Sequence, residues 1–444
     1  MAIQSSVPTF VGALACQRNP FLSKEFKTIV LSCEPTKKKA QYLVELKDTI
    51  LFPEGGGQPS DSGNFLVPST GEKLDVFKVS RNGLHAMHHV NGFIKPGTEV
   101  ELNLNWAQRL DYMQQHTGQH LLSAVLEKEW GLSTVSWSMG GVPTDKKPII
   151  DPSDVFNYVE LNRKLTDDEI SRLSVLCNEY ITINPQKISV VERTADIQVN
   201  SEVDASKIPD DYDLSQGILR TIYIGDLDAN PCCGTHLTST TQLGSILVLR
   251  SQTSVRGTNS RLYFTCGSRV WKYASFANTV LTLSKGLLSC GEADIPNKVE
   301  LQRDLVQKTS KKEQYWMKEV ALSETEALIK SIETSGQGFV VRDENGGLDY
   351  LTQINKDLTS KLSSRGITDY KVILCGRDKH LNSGVMMILS NSGEEIASIA
   401  ASLTEIVSTL KGGGGKKGGK WQGKISDFKK GEWESLVNYL EAEF

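Results

Sequence analysis

His116-Thr117-Gly118-Gln119-His120 sets two imidazoles four positions apart. On a helix that spacing stacks both on one face, with Cβ atoms about 5–6 Å apart, so the two rings can chelate one metal ion. Alone, the pair could equally be two polar residues on a solvated face. No Glu follows His116, so the built-in general base of the HExxH arrangement is missing. A second segment, Pro231-Cys232-Cys233-Gly234-Thr235-His236, brings a thiol and an imidazole together in a turn restricted by Pro231 and Gly234. By itself it could be a buried cysteine beside a hydrogen-bonded histidine. Jointly the two segments supply His116, His120, Cys232 and His236, three imidazoles and one thiolate. That set suits a tetrahedral zinc ion, with Zn–N of about 2.0–2.1 Å and Zn–S of about 2.3 Å. The chain has 7 His in 444 residues, so three of them falling in two such patterns is informative.

Two further segments carry chemistry of other kinds. Thr49-Ile50-Leu51-Phe52-Pro53-Glu54-Gly55-Gly56-Gly57-Gln58 contains three consecutive glycines, which let the backbone take positive φ or approach a ligand closely, with Glu54 and Gln58 at either side. Standing alone it reads as a plain turn between strands. Near the C-terminus, Lys411, Lys416, Lys417, Lys420 and Lys424 run through a glycine-rich tract at 412–419 with no balancing acid, and Trp421 follows it. Such a tract can wrap a phosphate backbone while an aromatic ring stacks on an unpaired base. The competing reading is a disordered linker, opposed by strand and helix patterns on both sides.

The elements that must position these residues follow from periodicity. Thr28-Ile29-Val30-Leu31 and Tyr42-Leu43-Val44-Glu45-Leu46 are short, β-rich and bounded by turn residues, and Glu99-Val100-Glu101-Leu102-Asn103-Leu104 alternates as a half-buried strand does. An all-β sandwich or barrel over 1–105 accounts for them. The period becomes helical at Trp106 and stays so to about Lys128, with Leu110, Met113, Leu121, Ala124 and Val125 near one face. Strands at 188–191, 222–224 and 246–249 and a helix near 166–182 make 106–275 an α+β domain. Residues 276–337 form a charged helical connector in which Pro296 marks a helix start and Val299, Leu301, Leu305, Trp316 and Val320 could line a seam. Strands at 339–341, 371–374 and 385–389, with an amphipathic helix at 394–410, make 338–444 a small α/β domain. The fold class is therefore α+β and multidomain.

Composition sets the outer bounds. Hydrophobic residues at 39% and charged residues at 23% are ordinary for a globular protein, which excludes collagen-like and wholly disordered chains. A net charge of −4 means that nucleic-acid binding has to come from local basic patches. The 8 Cys lie apart except for Cys232-Cys233, which argues against a disulfide framework and for a reducing compartment. No stretch approaches the ~18 apolar residues of a membrane span, and Met1-Ala2-Ile3-Gln4-Ser5-Ser6 has neither a basic region nor an apolar run. A cytoplasmic protein is expected. His85, His88 and His89 read as part of a strand rather than a metal site, because period 2 puts neighbours on opposite faces. The other cysteines read as buried spectator thiols.

As a set, the HxxxH, the CxxxH, the Leu51-Phe52-Pro53-Glu54-Gly55-Gly56-Gly57-Gln58 segment and the late glycine-rich module resemble the AlaX family, and its long type in particular. These are freestanding alanyl-tRNA editing proteins related to the editing and C-terminal domains of alanyl-tRNA synthetase. The resemblance covers nearly the whole chain from about residue 10. It implies that 1–105 is a β-barrel, that 106–275 is a zinc-containing editing domain and that 338–444 binds tRNA and is linked to dimerisation. Leu51-Phe52 stand where the family has Phe-Tyr, and Cys233 stands where it usually has Gly, which leaves open which of the two thiols holds the metal. The implied reaction is ATP-independent hydrolysis, in trans, of tRNA(Ala) mischarged chiefly with serine, with glycine as a second substrate. Nothing resembles an aminoacylation site. Gln58, Thr49 and Glu54 are the expected catalytic residues and Gly56, Gly57, Ser136 and Thr235 the expected substrate contacts. Lys416, Lys417, Lys420 and Trp421 are expected to touch tRNA, and a homodimer would form through the C-terminal domain. The alternative is a non-catalytic zinc-stabilised protein on the same fold that binds RNA or another partner.

Overall fold

The computed structural model describes residues 8–141, 152–194, 218–417 and 419–444. The segment Met1 to Ser6, considered above, lies outside them. The chain divides into two compact units, 1–283 and 284–444.

The first unit opens with a single turn, α1 (Ala15–Arg18), and six strands: β1 (Phe26–Pro35), β2 (Tyr42–Leu46), β3 (Gly63–Val67), β4 (Glu72–Asn82), β5 (His85–Val90) and β6 (Glu99–Leu104). They close into a barrel in the order β1-β2-β5-β4-β3-β6, antiparallel throughout and sealed by pairing of β6 with β1. Alternation decides which side chains fill it: Val30, Val44, Phe65, Val76, Val79, Val90, Val100 and Leu102 point inward and are almost fully buried. Of the histidines on β5, only His88 points in. Its ring takes a Val44 carbonyl and the Thr49 hydroxyl as partners, which makes it part of the core packing.

The helix expected from Trp106 is α2 (Trp106–Trp130). Asn105 caps its start by accepting from the Gln108 N–H, and Gly131 in the left-handed region ends it. After β7 (Ser136–Ser138) and β8 (Asn157–Leu161), α3 (Asp167–Thr182) begins with a capping box in which Thr166 and Glu169 satisfy each other's backbone N–H. β9 (Ile188–Thr194), β10 (Ile218–Ile224) and β11 (Asp228–Pro231) form one sheet, with β10 in its centre. β12 (Ile246–Ser254) and β13 (Ser260–Cys266) extend β8 and β7 into a second, in the order β12-β13-β8-β7. Leu121, Leu122, Val125 and Leu126 of α2 share a core with Leu173 and Cys177 of α3 and with Leu262 and Phe264 of β13. At Gly118 α2 lies close against β13: a Cβ there would lie 2.2 Å from the Cys266 sulfur. The glycine between the two histidines is thus what seats their helix.

The division between units falls within α4 (Ser268–Leu288). In the second unit α5 (Ile295–Ser335) starts with Pro296 in its first turn. Its latter half packs Ala321, Leu328, Ile329 and Ile332 on a sheet, whereas its first half is exposed. Among the described residues nothing covers the apolar positions that could line a seam: Val299, Leu301, Leu305, Trp316 and Val320 are 41–63% exposed, as suits a connector with a poor heptad. The sheet consists of β14 (Gln337–Arg342), β15 (Lys371–Asp378), β16 (Ser383–Ser390), β17 (Leu410–Gly414) and β18 (Gly419–Ile425), in the order β14-β15-β16-β18-β17. β14 and β15 are parallel and joined through α6 (Leu348–Arg365), as a crossover requires. α5 and α6 pack against one face, and α7 (Gly393–Ile406) and α8 (Glu432–Glu443) against the other. The amphipathic helix stops at Ile406, short of the expected 410. Val407 and Leu410 are buried in the turn and strand that follow.

Candidate functional site

α2 and the turn after β11 meet, 116 positions apart in sequence. The ligating atoms of His116, His120, Cys232 and His236 all lie within 4.8 Å of one another, and the three histidines are buried. The Cys232 Sγ is 3.4 Å from His116 Nε2 and 3.3 Å from His236 Nε2. Tetrahedral coordination at ordinary zinc bond lengths spaces donors about 3.3–3.6 Å apart, so the two sulfur–nitrogen distances match an ion of that kind and the four residues could hold one.

Each imidazole has a second partner on its outer nitrogen. His116 Nδ1 donates to Gln58 Oε1 at 2.9 Å, His120 Nδ1 faces Asp228 Oδ2 at 3.4 Å, and His236 Nδ1 meets the Thr117 hydroxyl at 3.3 Å. Such contacts fix the tautomer and leave Nε2 as the inward-facing donor. Burial opposes ionisation of Cys232, but the neighbouring His116 and His236 charges and hydrogen bonds from His116 and His120 outweigh it. The thiol is held well below its ordinary value. Burial, reinforced by the charge on Cys232, instead pushes Cys233 up to about 11. The adjacent pair is therefore split into a thiolate within the cluster and a thiol outside it.

Gln58 reaches the cluster from the barrel. Gly55 and Gln58 exchange backbone hydrogen bonds across a two-residue turn in which Gly56 and Gly57 have φ of +60° and +79°, the signature of a type I′ turn. Gln58 ends that turn 2% exposed, accepting from Thr235 N–H at 3.0 Å and from His116, and donating to Thr235 Oγ1 at 2.7 Å. Trp137 of β7 stacks on His116, with ring centroids 5.0 Å apart, and a Cβ at Gly57 would fall 2.6 Å from its indole. Gly234 is equally constrained, since a Cβ there would overlap the His116 ring at 2.3 Å. Among the described residues, no acceptor meets the N–H of Gly56 or Gly57.

Of the residues singled out in the sequence, Gln58, Gly57 and Thr235 thus lie at the cluster. Others are engaged elsewhere. Thr49 is buried with its hydroxyl on His88 and on the Leu51 N–H. Glu54 pairs with Lys78 at 2.9 Å, with both side chains about half exposed, and Ser136 donates to Glu160. The glycine-lysine tract is a hairpin of β17 and β18 rather than a loop; Gly418 lies outside the described residues. On β18, Lys420, Gln422 and Lys424 face outward while Trp421, Gly423 and Ile425 face the core, and Lys411 sits opposite Lys424. This corrects the reading of Trp421 as a stacking platform. Its ring is 8% exposed and packs with Ile396, Leu403 and Leu410, and a Cβ at Gly412 or Gly423 would lie 2.4 Å from it. Part of the glycine content therefore makes room for an indole. Thr117, Trp137 and Asp228 were not picked out from sequence. Thr117 lies within the HxxxH motif and Asp228 four positions before Cys232, but only the fold turns them toward the rings.

Residues 219–263, which contain the Cys232–His236 turn, match the family model described as the threonyl and alanyl tRNA synthetase second additional domain. Over 98% of both chains the sequence is 54% identical to the Saccharomyces cerevisiae protein named putative alanyl-tRNA editing protein alaX. The chain belongs to the AlaX family. Other members lie further away: the mouse alanyl-tRNA editing protein Aarsd1 is 28% identical over 93% of this chain and 94% of its own. The alanyl-tRNA editing protein AlaX-L of Pyrococcus horikoshii is 33% identical over 57% of each chain.

Proposed function

We propose that this chain hydrolyses the ester of tRNA(Ala) mischarged with serine, and of tRNA(Ala) mischarged with glycine, acting in trans in the cytoplasm without ATP. The observation that carries the reading is the four-donor cluster joined through Gln58 to the glycine turn, in a member of a tRNA-editing family. His116, His120, Cys232 and His236 hold one zinc ion, three nitrogens and a sulfur being a donor set that selects it. When bound, the ion supplies a fixed positive charge beside the ester. Gln58 keeps His116 in the tautomer that faces inward, and its second amide hydrogen is left for the seryl hydroxyl. A polar group committed in that way rejects an alanyl ester, whose methyl would cover it and leave it unpaired, whereas a glycyl ester, with no side chain, leaves room for a water on it. The free N–H groups of Gly56 and Gly57 receive the ester carbonyl and the charge that develops on it. Thr235 braces Gln58. Thr49 acts one layer back, through His88 and the segment that leads to Gln58, while Glu54 and Ser136 line the approach.

The tRNA body lies along Lys416, Lys417 and Lys420, and two copies of the chain join through the C-terminal domain at 338–444. Deacylation of Ser-, Gly- and Ala-tRNA(Ala) by the purified protein, with and without chelator, tests the reading. Release of serine and glycine but not alanine, lost with chelator and restored by zinc, is expected. Cys232→Ala and His120→Ala should lose zinc and activity together. Zinc content unchanged in the double variant would overturn the ligand assignment, and no serine release from metal-loaded protein would overturn the enzyme reading in favour of a binding protein.

A further inference from the structure

Beneath the Cys232–His236 turn lies a cation that the proposed chemistry does not use. Arg220, on β10, is 2% exposed. Its Nη1 donates to the carbonyls of Gly234 at 2.9 Å and Cys233 at 3.2 Å, and its Nη2 to the Gln17 carbonyl at 2.8 Å. The Gln17 side chain donates to the same Cys233 carbonyl at 2.7 Å, and its Oε1 is itself held by the Gly12 and Leu14 N–H groups. Glu192 approaches Arg220 Nε to 3.7 Å, and among the described residues Nε has no hydrogen-bond partner. The hydrogen bonds of this buried cation therefore go to backbone carbonyls.

The consequence follows from peptide geometry. In a planar trans peptide the C=O and the next residue's N–H point in opposite directions. With the Cys233 carbonyl drawn onto Arg220, the Gly234 N–H is turned the other way, and it donates to Cys232 Sγ at 3.4 Å. With the Gly234 carbonyl drawn onto the same guanidinium, the Thr235 N–H is turned the other way, and it donates to Gln58 Oε1, the atom that also receives His116 Nδ1–H. One side chain thus sets two successive peptides, and each of those peptides serves a different member of the cluster.

We propose that Arg220 is a positioning residue of the metal centre: by gripping the Cys233 and Gly234 carbonyls it aims one N–H at the Cys232 sulfur and the next at Gln58, and so fixes the thiolate and the His116 imidazole together. Gln17 provides the second grip on the first of the two carbonyls and ties the turn to the barrel. The proposal rests on the zinc reading above and concerns how the site is held, not what it hydrolyses.

The test uses full-length wild type, Arg220→Lys, Arg220→Met and Gln17→Met. Zinc affinity is measured by competition with a chromophoric chelator, and the thiolate-to-metal absorption band is recorded after cobalt substitution. Lysine keeps the charge but is a point donor without the planar fork. Arg220→Lys and Arg220→Met are expected to bind zinc about 10–100-fold more weakly, as loss of groups that orient ligands does, and to shift the cobalt band. Gln17→Met should move both readouts in the same direction by less. Circular dichroism and a thermal melt verify folding of each variant, and Arg220→Lys alone decides the matter if Arg220→Met does not fold. A folded Arg220→Lys with the wild-type zinc affinity and an unmoved band would overturn the proposal. Wild-type protein that takes up no zinc would instead overturn the metal reading on which it rests, a result visible before any variant is compared.

Discussion

Arg109 is the largest fully buried side chain among the described residues, and its ion pair gives the sharpest prediction. It leaves α2 one turn after Asn105 and pairs with Asp61, both side chains at 0% exposure. It also donates to the Pro20 carbonyl at 2.9 Å and the Ile50 carbonyl at 2.7 Å, while Asp61 accepts from the Phe52 N–H at 2.6 Å. Burial works against the charge on Arg109, but the Asp61 carboxylate outweighs it and raises the guanidinium further. Asp61→Asn removes the countercharge with little change of shape, and stranding one member of a buried ion pair costs about 3–5 kcal/mol. For a unit of 283 residues, at about 2–4 °C per kcal/mol, the expected fall in Tm is roughly 10 °C. Replacing both partners with apolar residues often restores stability elsewhere, but here it would strand two carbonyls and an N–H, each worth about 1–3 kcal/mol when buried unpaired. Arg109→Met/Asp61→Leu should therefore remain well below wild type. Scanning calorimetry of wild type, Asp61→Asn and Arg109→Met/Asp61→Leu at neutral pH measures both effects. Asp61→Asn melting within about 2 °C of wild type would refute the reasoning, since the buried pair could not then be carrying an energy of that size.

Gly118→Ala puts a methyl 2.2 Å from the Cys266 sulfur; a cost of about 1–3 kcal/mol is expected from overpacking, read by urea unfolding, and an unchanged midpoint would show that α2 is not seated by that contact. His88 is buried and neutral, and its pKa is lowered by burial to about 4. Its folded value is below its unfolded one, so its contribution is complete above about pH 6.5 and lost as pH falls toward 4, amounting to about 3 kcal/mol over that window. Subtracting the pH profile of His88→Gln from that of wild type should leave this slope, and a flat difference would contradict it. Lys416→Ala/Lys417→Ala/Lys420→Ala should weaken tRNA binding and reduce the slope of log K against log salt by about one for each phosphate no longer neutralised, measured by filter binding; an unchanged slope would remove these lysines from the interface.

Elements with a strong internal period were legible in the sequence. The helix from Trp106, the strands at 42–46 and 99–104 and the helix start at Pro296 needed only local rules, and the structure places them within a few residues of expectation. Two readings failed for one reason: local pattern does not reveal what packs on a residue. Trp421 followed a lysine-rich tract and suggested an exposed ring, yet Gly412 and Gly423 form the slot that buries it. Leu410 continued a helical period, yet belongs to a strand. At the site, spacing was enough to single out the four donors that the structure brings together, because each motif is confined to five residues. The groups that face their outer nitrogens come from segments whose meeting no periodicity encodes. Glu54 and Ser136 are polar beside the motifs, but β4 offers Lys78 to the first and β8 offers Glu160 to the second before either could face the cluster.

The tethers of the cluster bear on what the barrel is for. Gln58 enters from the turn before β3, Arg109 holds the carbonyl of Ile50 and pairs with Asp61 at the two ends of the segment carrying Gln58, and Gln17 reaches from α1 to the Cys233 carbonyl. Three connections thus run from the barrel region into the turn and helix that supply all four donors. A barrel that only flanked the site could be replaced by a covering surface, and apolar contact would suffice. Buried hydrogen bonds and an ion pair are directional, and each leaves a costly unpaired group if its partner is removed. It follows that 106–283 expressed alone should fail to form the cluster even where α2 and β13 still pack, because the outer nitrogen of His116 loses Gln58 while the carbonyl of Cys233 loses Gln17 and keeps only Arg220. Zinc titration of that fragment, beside the same fragment mixed with separately expressed 1–105, distinguishes the two roles. Equal zinc uptake by the fragment alone and by the mixture would mean that the donors organise themselves and that the barrel contributes only cover.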